Sequence, residues 1–596
     1  MNFKLASGSR VVSTSTLREF NGGWNIADND LNLSSKFLRV LDNAYRAPDG
    51  SLSVRYGTRL FADVSDYVSG NIVNIFYHNT MLWCVTSTGE IAAIRGDGSV
   101  QAMWNNTIAR LLPSAPSGWN TTDFASAAIF NGELIICNGS DKPLIVENSS
   151  GLVRYLYDLG TGSNIYVPIC RYVVTHQRYL CMAGDPTDPD ALYISNVDTS
   201  GTFKGAPNPN DAVTLQLGSY VPSGSNVIKG LQSFRDQLFV FFEQAVVVLK
   251  LGTYDSSSTP VHTPTFQDAV AQYGAVSHRS VQSVGDDVFF CDIGGVPSLS
   301  KAVFTGGIRT ERVSQLVDPA IQDRLAQLSE ADLEDQVWSV FHRRANQYML
   351  FVPDGSVPNE MICFVFTYVK QLDVAAWAQF RGWNWSCGCV SALGTVFFGK
   401  NTQVYYYGDV DEGTYGDFTG DQETYSDGTV HTDGLGFSPV SDGELGGVPV
   451  TWAIETPWFD FGARMQSKTS RYIAFDTLGT AEFTCQMFID NIYRDRNDPG
   501  EPFSDGFYFS DDRGFTNDTF GLLPTLSMSF VGSENAGFGA DLFGGQFGGG
   551  RPTRDERLYA WTTRFKLGKL RFSGDTMEPL SLISISINYY KGTERR

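Results

Sequence analysis

One unit limits the folds open to this chain more than any other feature. A strand, a tight turn, a second strand, another turn and a third strand return about every fifty residues between Ile72 and Tyr407. In the first copy Ile72 to Tyr77 alternates, His78-Asn79-Thr80 turns the chain, Met81 to Val85 follows, and Ser87-Thr88-Gly89 leads into Glu90 to Arg95. In the second, Phe124 to Phe130 and Leu134 to Cys137 flank Asn131-Gly132, a pair suited to the left-handed positions of a type I′ hairpin. The central turns fall near residues 79, 131, 177, 235, 286, 345 and 393. A sheet this small cannot cover both its faces alone, and radial packing against like neighbours covers them. The pattern therefore predicts a mostly-β chain built on a β-propeller of about six to seven irregular blades. A string of β-sandwich domains is the competing architecture.

The rest of the sequence divides around this repeat. With 596 residues the chain is too long for one core. Its 60 Gly, 26 Tyr and 41 Phe suit turns and pleated surfaces. Residues 1–60 are expected to be an N-terminal segment packed on the rest, and 61–408 the propeller. A short helical insertion is expected near 318–335. There Asp318-Pro319 opens a helix with an apolar stripe of Ile321, Leu325 and Leu328, and Ser329 with Asp332 starts a second short turn. Residues 409–447 form an acidic, Gly-rich loop, with ten acids and no Lys or Arg between Gly408 and Gly447. Alternation resumes at Thr451, so 448–596 is expected to be a C-terminal antiparallel, sandwich-like β domain with a Gly-rich loop near 537–550.

Charge and cysteine use exclude several functions. The net charge of −21 argues against gripping nucleic acid, which needs a Lys/Arg-rich face. From Arg551 onward ten Lys and Arg meet five acids, so the ends of the chain differ in sign, as opposed contacts along an assembly axis would need. No apolar run is long enough for a membrane-spanning helix, and Met1 to Arg10 lacks the apolar core of a secretory signal, so assembly in a cytosol is expected. The nine cysteines sit in strand-like runs, as buried reduced thiols do.

Catalytic patterns are absent or incomplete. Gly394 to Asn401 departs from a P-loop by one residue, but its spacer is β-branched and aromatic and no helix follows, so it is expected to be a strand ending in a turn. Asp185, Asp188 and Asp190 offer oxygens to a calcium ion, yet the intervening prolines favour a stiff turn and a calcium ion takes about six or more ligands. Cys387 and Cys389 lack a second ligand pair, and the six histidines are dispersed. No Gly-x-Ser-x-Gly elbow occurs and nothing marks a carboxylate pair. The expectation is a non-enzymatic protein with no catalytic residues, metal or cofactor.

Several stretches resemble the tail nozzle, hub or stabilisation proteins of short-tailed bacteriophages (the tail tubular protein B-like family). These are Phe20-Asn-Gly-Gly-Trp24, Asn43, Asp49-Gly50 and Arg55-Tyr-Gly-Thr58; Phe130-Asn-Gly-Glu-Leu134 with Asn138-Gly and Asp141-Lys-Pro143; His176 to Leu180 and Leu192 to Ser195; Gly230 to Phe242 with Gly274 to Ser280; and Arg381 to Trp385 with Glu455 to Trp458. Each encodes little beyond hairpins and aromatics; their shared order makes the likeness specific. It implies a virion protein of the phage tail: a homo-hexameric ring below a tail adaptor ring protein, carrying tail fibres or spikes and letting genomic DNA pass without sequence contacts. Duplex DNA carries a charge about every 1.7 Å, so an acidic lumen lets it slide. The candidate channel or gate residues are Asp409, Asp411, Glu412, Asp417, Asp421 and Glu423; a solvated outer loop is the alternative. A propeller glycosidase or depolymerase, or a receptor-binding propeller, is the competing function.

Overall fold

Each blade has four antiparallel strands, one more than the sequence pattern displays. In the computed structural model the first blade runs from axis to rim as Ile72–His78, Met81–Thr86, Ile91–Ile94 and Val100–Trp104. The fourth strand is often short, as in Val213–Gln216 of blade 3, whose four residues are too few for a period to stand out and include none that is fully buried. The structure describes residues 12–18, 20–104, 119, 124–147, 151–156, 167–201, 203, 212–221, 226–251, 264–301, 308–357, 360–369, 374–408, 423–424, 430–431, 449–460, 468–479, 483–489, 526–528, 553–559, 564–565, 567–576 and 580–591.

Seven such units close into a ring, a β-propeller. Their innermost strands are Ile72–His78, Ser126–Phe130, Tyr172–His176, Ile228–Phe234, Gln282–Val284, Trp338–His342 and Cys387–Val390, and the last packs back on the first. Every inner hairpin turn contains a left-handed residue: Asn79, Asn131, Gln177, Arg235, Gly285, Asn346 and Gly394, with φ from 49 to 87°. Blade 7 is completed by a strand from the other end of the ring. Thr58–Asp63 pairs antiparallel with Gln403–Tyr407, so ladder hydrogen bonds, not a covalent link, shut the circle.

Blade 6 does not stop at its fourth strand. Gln379 of Val374–Trp383 pairs in parallel with Asp42, and the sheet continues through Val40–Asp42, Val450–Glu455, Gly568–Thr576, Phe483–Ile489 and Leu526–Met528 to eleven strands in all. A second sheet of seven strands centres on Lys468–Gly479 and Leu580–Lys591, joined by Ala44–Arg46, Leu52–Val54 and Val12–Leu17. Both sheets of this platform thus draw on both ends of the chain. The two share one hydrophobic core with blades 5 to 7, including Leu41, Leu52, Trp383, Phe398, Phe572 and Ile585.

The joint between platform and propeller is built from N-terminal residues. Gly23 has φ +61° and a Cβ there would lie 2.7 Å from the Trp377 carbonyl, so only glycine lets the chain cross blade 6 this closely. Asn43 donates to the Thr451 carbonyl at 2.7 Å and accepts from Arg55 Nε at 2.9 Å and the Arg381 N–H at 2.8 Å. The buried Arg55 guanidinium lies 4.4 Å from the Trp383 ring centroid.

Two helices follow blade 5. Helix α1, Asp318–Leu325, buries Ile321 and Leu325 and has Pro in its first turn. Helix α2, Glu330–Gln336, is capped by Ser329, whose hydroxyl accepts the Asp332 N–H at 3.2 Å.

Candidate functional site: the propeller axis

Around the axis, side chains of one inner strand bond to the next. Ser386 Oγ donates to the Ile72 carbonyl (2.8 Å), Asn74 Nδ2 to Ala125 (2.6 Å) and Ser126 Oγ to Arg171 (2.6 Å). His176 and Ser233 share a 2.8 Å bond, and Gln232 Nε2 donates to Ser283 Oγ (2.9 Å) and Gln282 Nε2 to the Ser339 carbonyl (3.0 Å). The inner positions that make these bonds are polar, because they meet a neighbouring backbone carbonyl or hydroxyl at close range.

The end of the axis where the inner strands begin is covered by α2. Arg171 and Tyr172 come from blade 3, Lys229 from blade 4, and Ser277 and Arg279 from the approach to blade 5. Glu334 takes Lys229 Nζ at 3.0 Å, the Tyr172 hydroxyl, and Arg171 Nε at 2.9 Å in an ion pair off hydrogen-bond alignment. Glu330 is 3.2 Å from Lys229 Nζ, and Asp335 pairs with Arg171. Arg279 spans the mouth, donating to the Val73 carbonyl of blade 1 at 2.9 Å and to the Asp335 carbonyl. Burial alone would raise the Glu334 carboxyl, but Arg171, the Tyr172 hydroxyl and Lys229 outweigh it and hold the group below the usual range. Burial likewise opposes the charge on Lys229, and Glu334 with Glu330 and Glu243 raises it nonetheless. Both charges therefore stand at neutral pH. The cluster is a lock between four blades and a helix.

Below the lock lies a cavity of about 590 Å³, reaching toward the inner hairpin turns. Its walls include Asn74, Gln232, Gln282, Ser283 and Ser339, with Tyr77, Ile129 and Phe341 nearer the turns and Arg343 at the rim. No carboxylate lines it among the described residues.

The sequence-derived candidates fall elsewhere. Asp409, Asp411, Glu412, Asp417 and Asp421 lie outside the described residues, and Glu423 sits in a two-residue strand, Glu423–Thr424, paired with Val430–His431. Asp185 and Asp188 flank a tight hairpin in which Asp185 accepts the Thr187 N–H and hydroxyl and the Tyr193 hydroxyl. Asp188 takes Gln216 Nε2 and Asp190 takes the Gly218 N–H, so the three carboxylates face separate partners. Gly394 is a hairpin turn and Val396–Lys400 a strand, with Lys400 over the Trp385 ring. Burial pushes the Cys387 thiol up to about 11, and no group of three His, Cys, Asp or Glu able to hold a metal occurs among the described residues. Sequence reasoning missed the lock. Glu330 and Glu334 share a helix face at i, i+4, but their cations come from separate blades, and no local pattern links them.

No family model matches the sequence, and no curated protein does. Among solved structures the chain is similar to the WD40 domain of Neurospora crassa Pan2, at 11% identity over 60% of this chain and 97% of that one, with a TM-score of 0.35. It is similar to the β-propeller domain of Myceliophteria thermophila Cps50 (Swd1), at 7% identity over 60% and 100%, with a TM-score of 0.34. PorZ of Porphyromonas gingivalis, a bacterial surface component of the type-IX secretion system, matches at 12% identity over 57% of this chain and 37% of that one, with a TM-score of 0.31. The chain thus spans little more than a third of PorZ, and these likenesses speak to the fold alone.

Proposed function

We propose that the protein is a structural ring subunit of a short-tailed phage's tail, a nozzle or hub that extends the channel for the genome and carries fibres or spikes. The observation that carries this reading is the joint. Residues on which the sequence resemblance rests, Gly23, Asn43, Arg55 and Arg381, are those that fix propeller to platform. A ring wall under load needs its two parts to move as one, and a continuous eleven-stranded sheet with a shared core supplies that stiffness.

On this reading DNA passes between subunits, not along the propeller axis. The axis is crossed by Arg279, which bonds to Val73 of blade 1 and to Asp335 of α2, so a duplex has no open path along it. The partners are further copies of the chain in a hexamer, a tail adaptor ring and a fibre or spike protein. A glycosidase is less favoured, because two carboxyl groups about 5–9.5 Å apart would be needed and none lines this cavity among the described residues.

The test is assembly. The native mass of the chain, alone and mixed with a phage tail adaptor ring, is expected to show six copies on the adaptor, and a map of the intact tail to place the propellers around the channel. A protein that stays monomeric and does not bind the adaptor overturns the reading; turnover of host polysaccharide, lost on mutating an Asp/Glu pair, replaces it with the enzyme.

A further inference from the structure

The two helices that follow blade 5 are held in different ways. Helix α1 sinks Ile321 and Leu325 into the core, and its Arg324 pairs with the buried Asp354. No residue of α2 is fully buried. Of its side chains, Leu333 packs partly buried against the main core. The rest of its hold on the ring is polar: the pairs of Glu330, Glu334 and Asp335 with Lys229 and Arg171, the Ser277 hydroxyl on the Glu334 carbonyl at 2.9 Å, and Arg279 on the Asp335 carbonyl.

Away from those cations α2 has little reason to form. Its sequence, Glu330-Ala-Asp-Leu-Glu-Asp-Gln336, carries four acids and no Lys or Arg. Glu334 and Asp335 sit in the last turn, where the helix dipole opposes negative charge, and Glu330 repels Glu334 across one turn. Seven residues are also too few for a helix to persist alone in water. The seat, by contrast, is built by the ring. Arg171 lies over the Phe124 ring, 4.4 Å from its centroid, Arg279 donates to the Val73 carbonyl, and Lys229 keeps Glu243 at 3.5 Å. The inner strands bond to one another around the axis without the helix. Both flanks of α2 are fixed, by the partly buried Leu328 before it and the buried Val337 after it. Its seven residues span roughly 10 Å as a helix and about 23 Å when extended, so unwinding alone gives it the slack to leave the mouth.

From this arrangement we propose that α2 is a charge-latched lid, which folds on its cationic seat and unwinds by itself while the ring stays folded. Opening uncovers Arg171 and Lys229 at the closed end of the axis and frees Arg279 from the Asp335 carbonyl. Salt favours the open state, because it screens the pairs that hold the lid, and the Glu330 side chain is already 78% exposed. The lid stands apart from the tail reading, and neither falls with the other.

Hydrogen exchange read by mass spectrometry on the full chain tests it, at about 0.05 M and about 0.5 M salt. After correction for intrinsic rates, the bonded amides of α2, Leu333 to Gln336, are expected to exchange at least about tenfold faster than those of α1 or of Trp338–His342. Raising the salt should speed α2 several-fold and leave α1 and the strand unchanged. Glu334→Gln at low salt should speed α2 about tenfold or more, again without the blades, and Leu333→Ala should speed it less. The proposal is overturned if α2 exchanges no faster than Trp338–His342, if its exchange ignores salt in the parent chain, or if Glu334→Gln speeds helix and blades together. It is also overturned if Leu333→Ala loosens α2 more than Glu334→Gln does, since the apolar contact would then be the latch.

Discussion

The two ends of the propeller axis solve opposite problems. At one, six charged side chains from three blade elements and a helix converge and neutralise one another: Arg171, Lys229, Arg279, Glu330, Glu334 and Asp335. At the other, the hairpin turns leave Ile129 and Leu393 exposed at 49% and 77%, and Arg343 stands at the surface. Both ends are made by the same repeating blade, so the repeat itself does not decide which end is shut. The difference comes from the connection between blades 5 and 6, which carries α1 and α2 and is fixed by charge. A closed end held by paired charges should respond to loss of a partner; an open end should not.

The largest expected effect is acid unfolding. His278 packs at the closed end, its ring 5.2 Å from Tyr172 and its Nδ1 accepting the Leu231 N–H; burial first, then the Arg279 and Arg171 charges, push it down to about 4. His176 and His342 end inner strands on the open side, and burial holds both near about 4 despite Asp236 facing the first and Gln347 the second. These rings are neutral in the fold but protonate near pH 6.5 once unfolded. Between pH 6.5 and about 4 the unfolded chain binds more protons, so the stability conferred by neutral histidines is present above that window and lost as pH falls through it, on the order of 2–3 kcal/mol per ring. Urea midpoints measured from pH 7.5 to 4 should fall steadily. A flat profile breaks the account, and an intact profile in His278→Gln with loss in His342→Gln moves the sensitivity to the open end.

Next in size is the lock. Glu334→Ala leaves the buried Lys229 and the half-buried Arg171 with fewer counter-charges and the Tyr172 hydroxyl without its acceptor. Removing one partner of a buried pair costs about 3–5 kcal/mol, and partial solvent access here brings the expectation to about 2–3 kcal/mol by urea unfolding. A cycle with Lys229→Met should recover part of that loss, since the double variant buries no unpaired ammonium; strict additivity would show that the two residues do not act together. Ser329→Ala, which removes the cap of α2, should cost about 1 kcal/mol and raise amide exchange in Glu330–Gln336 before the blades exchange.

How far the sequence discloses these features depends on how local they are. The hairpin turns at 79, 131, 177 and 393 are legible because a strand's period of two and its turn chemistry lie within a dozen residues. The cap at Ser329 and the stripe of Ile321 and Leu325 are legible for the same reason. The fourth strands differ from blade to blade: Val153–Tyr155 has three residues, too few for a period, and Val374–Trp383 is buried on both faces. The platform strands Ala44–Arg46 and Leu52–Val54 are three residues each, too short for any period, and find partners in Leu580–Lys591 only through the tertiary fold. Glu334 reaches Arg171 and Lys229 across more than a hundred residues of chain, so a sequence shows the charges without their pairing. The acidic candidates from Asp409 to Asp421 rest on composition alone, which gives no position.

The smallest effect is expected at the open end, and its smallness makes the comparison sharp. Arg343 pairs with no described residue, and Leu393 lies in a hairpin turn with its side chain in solvent, while its carbonyl, which accepts Arg344 Nε at 2.9 Å, is unaffected by side-chain exchange. Arg343→Gln and Leu393→Ser should each change stability by less than about 0.5 kcal/mol, as substitutions away from packed or paired groups do. Urea midpoints for both should overlay the parent's while that of Glu334→Ala does not. A loss of more than about 1 kcal/mol in either would mean that the turns brace the axis as the helix does, and the contrast between an end locked by buried charges and one bridged by exposed pairs such as Arg235–Asp286 would fail.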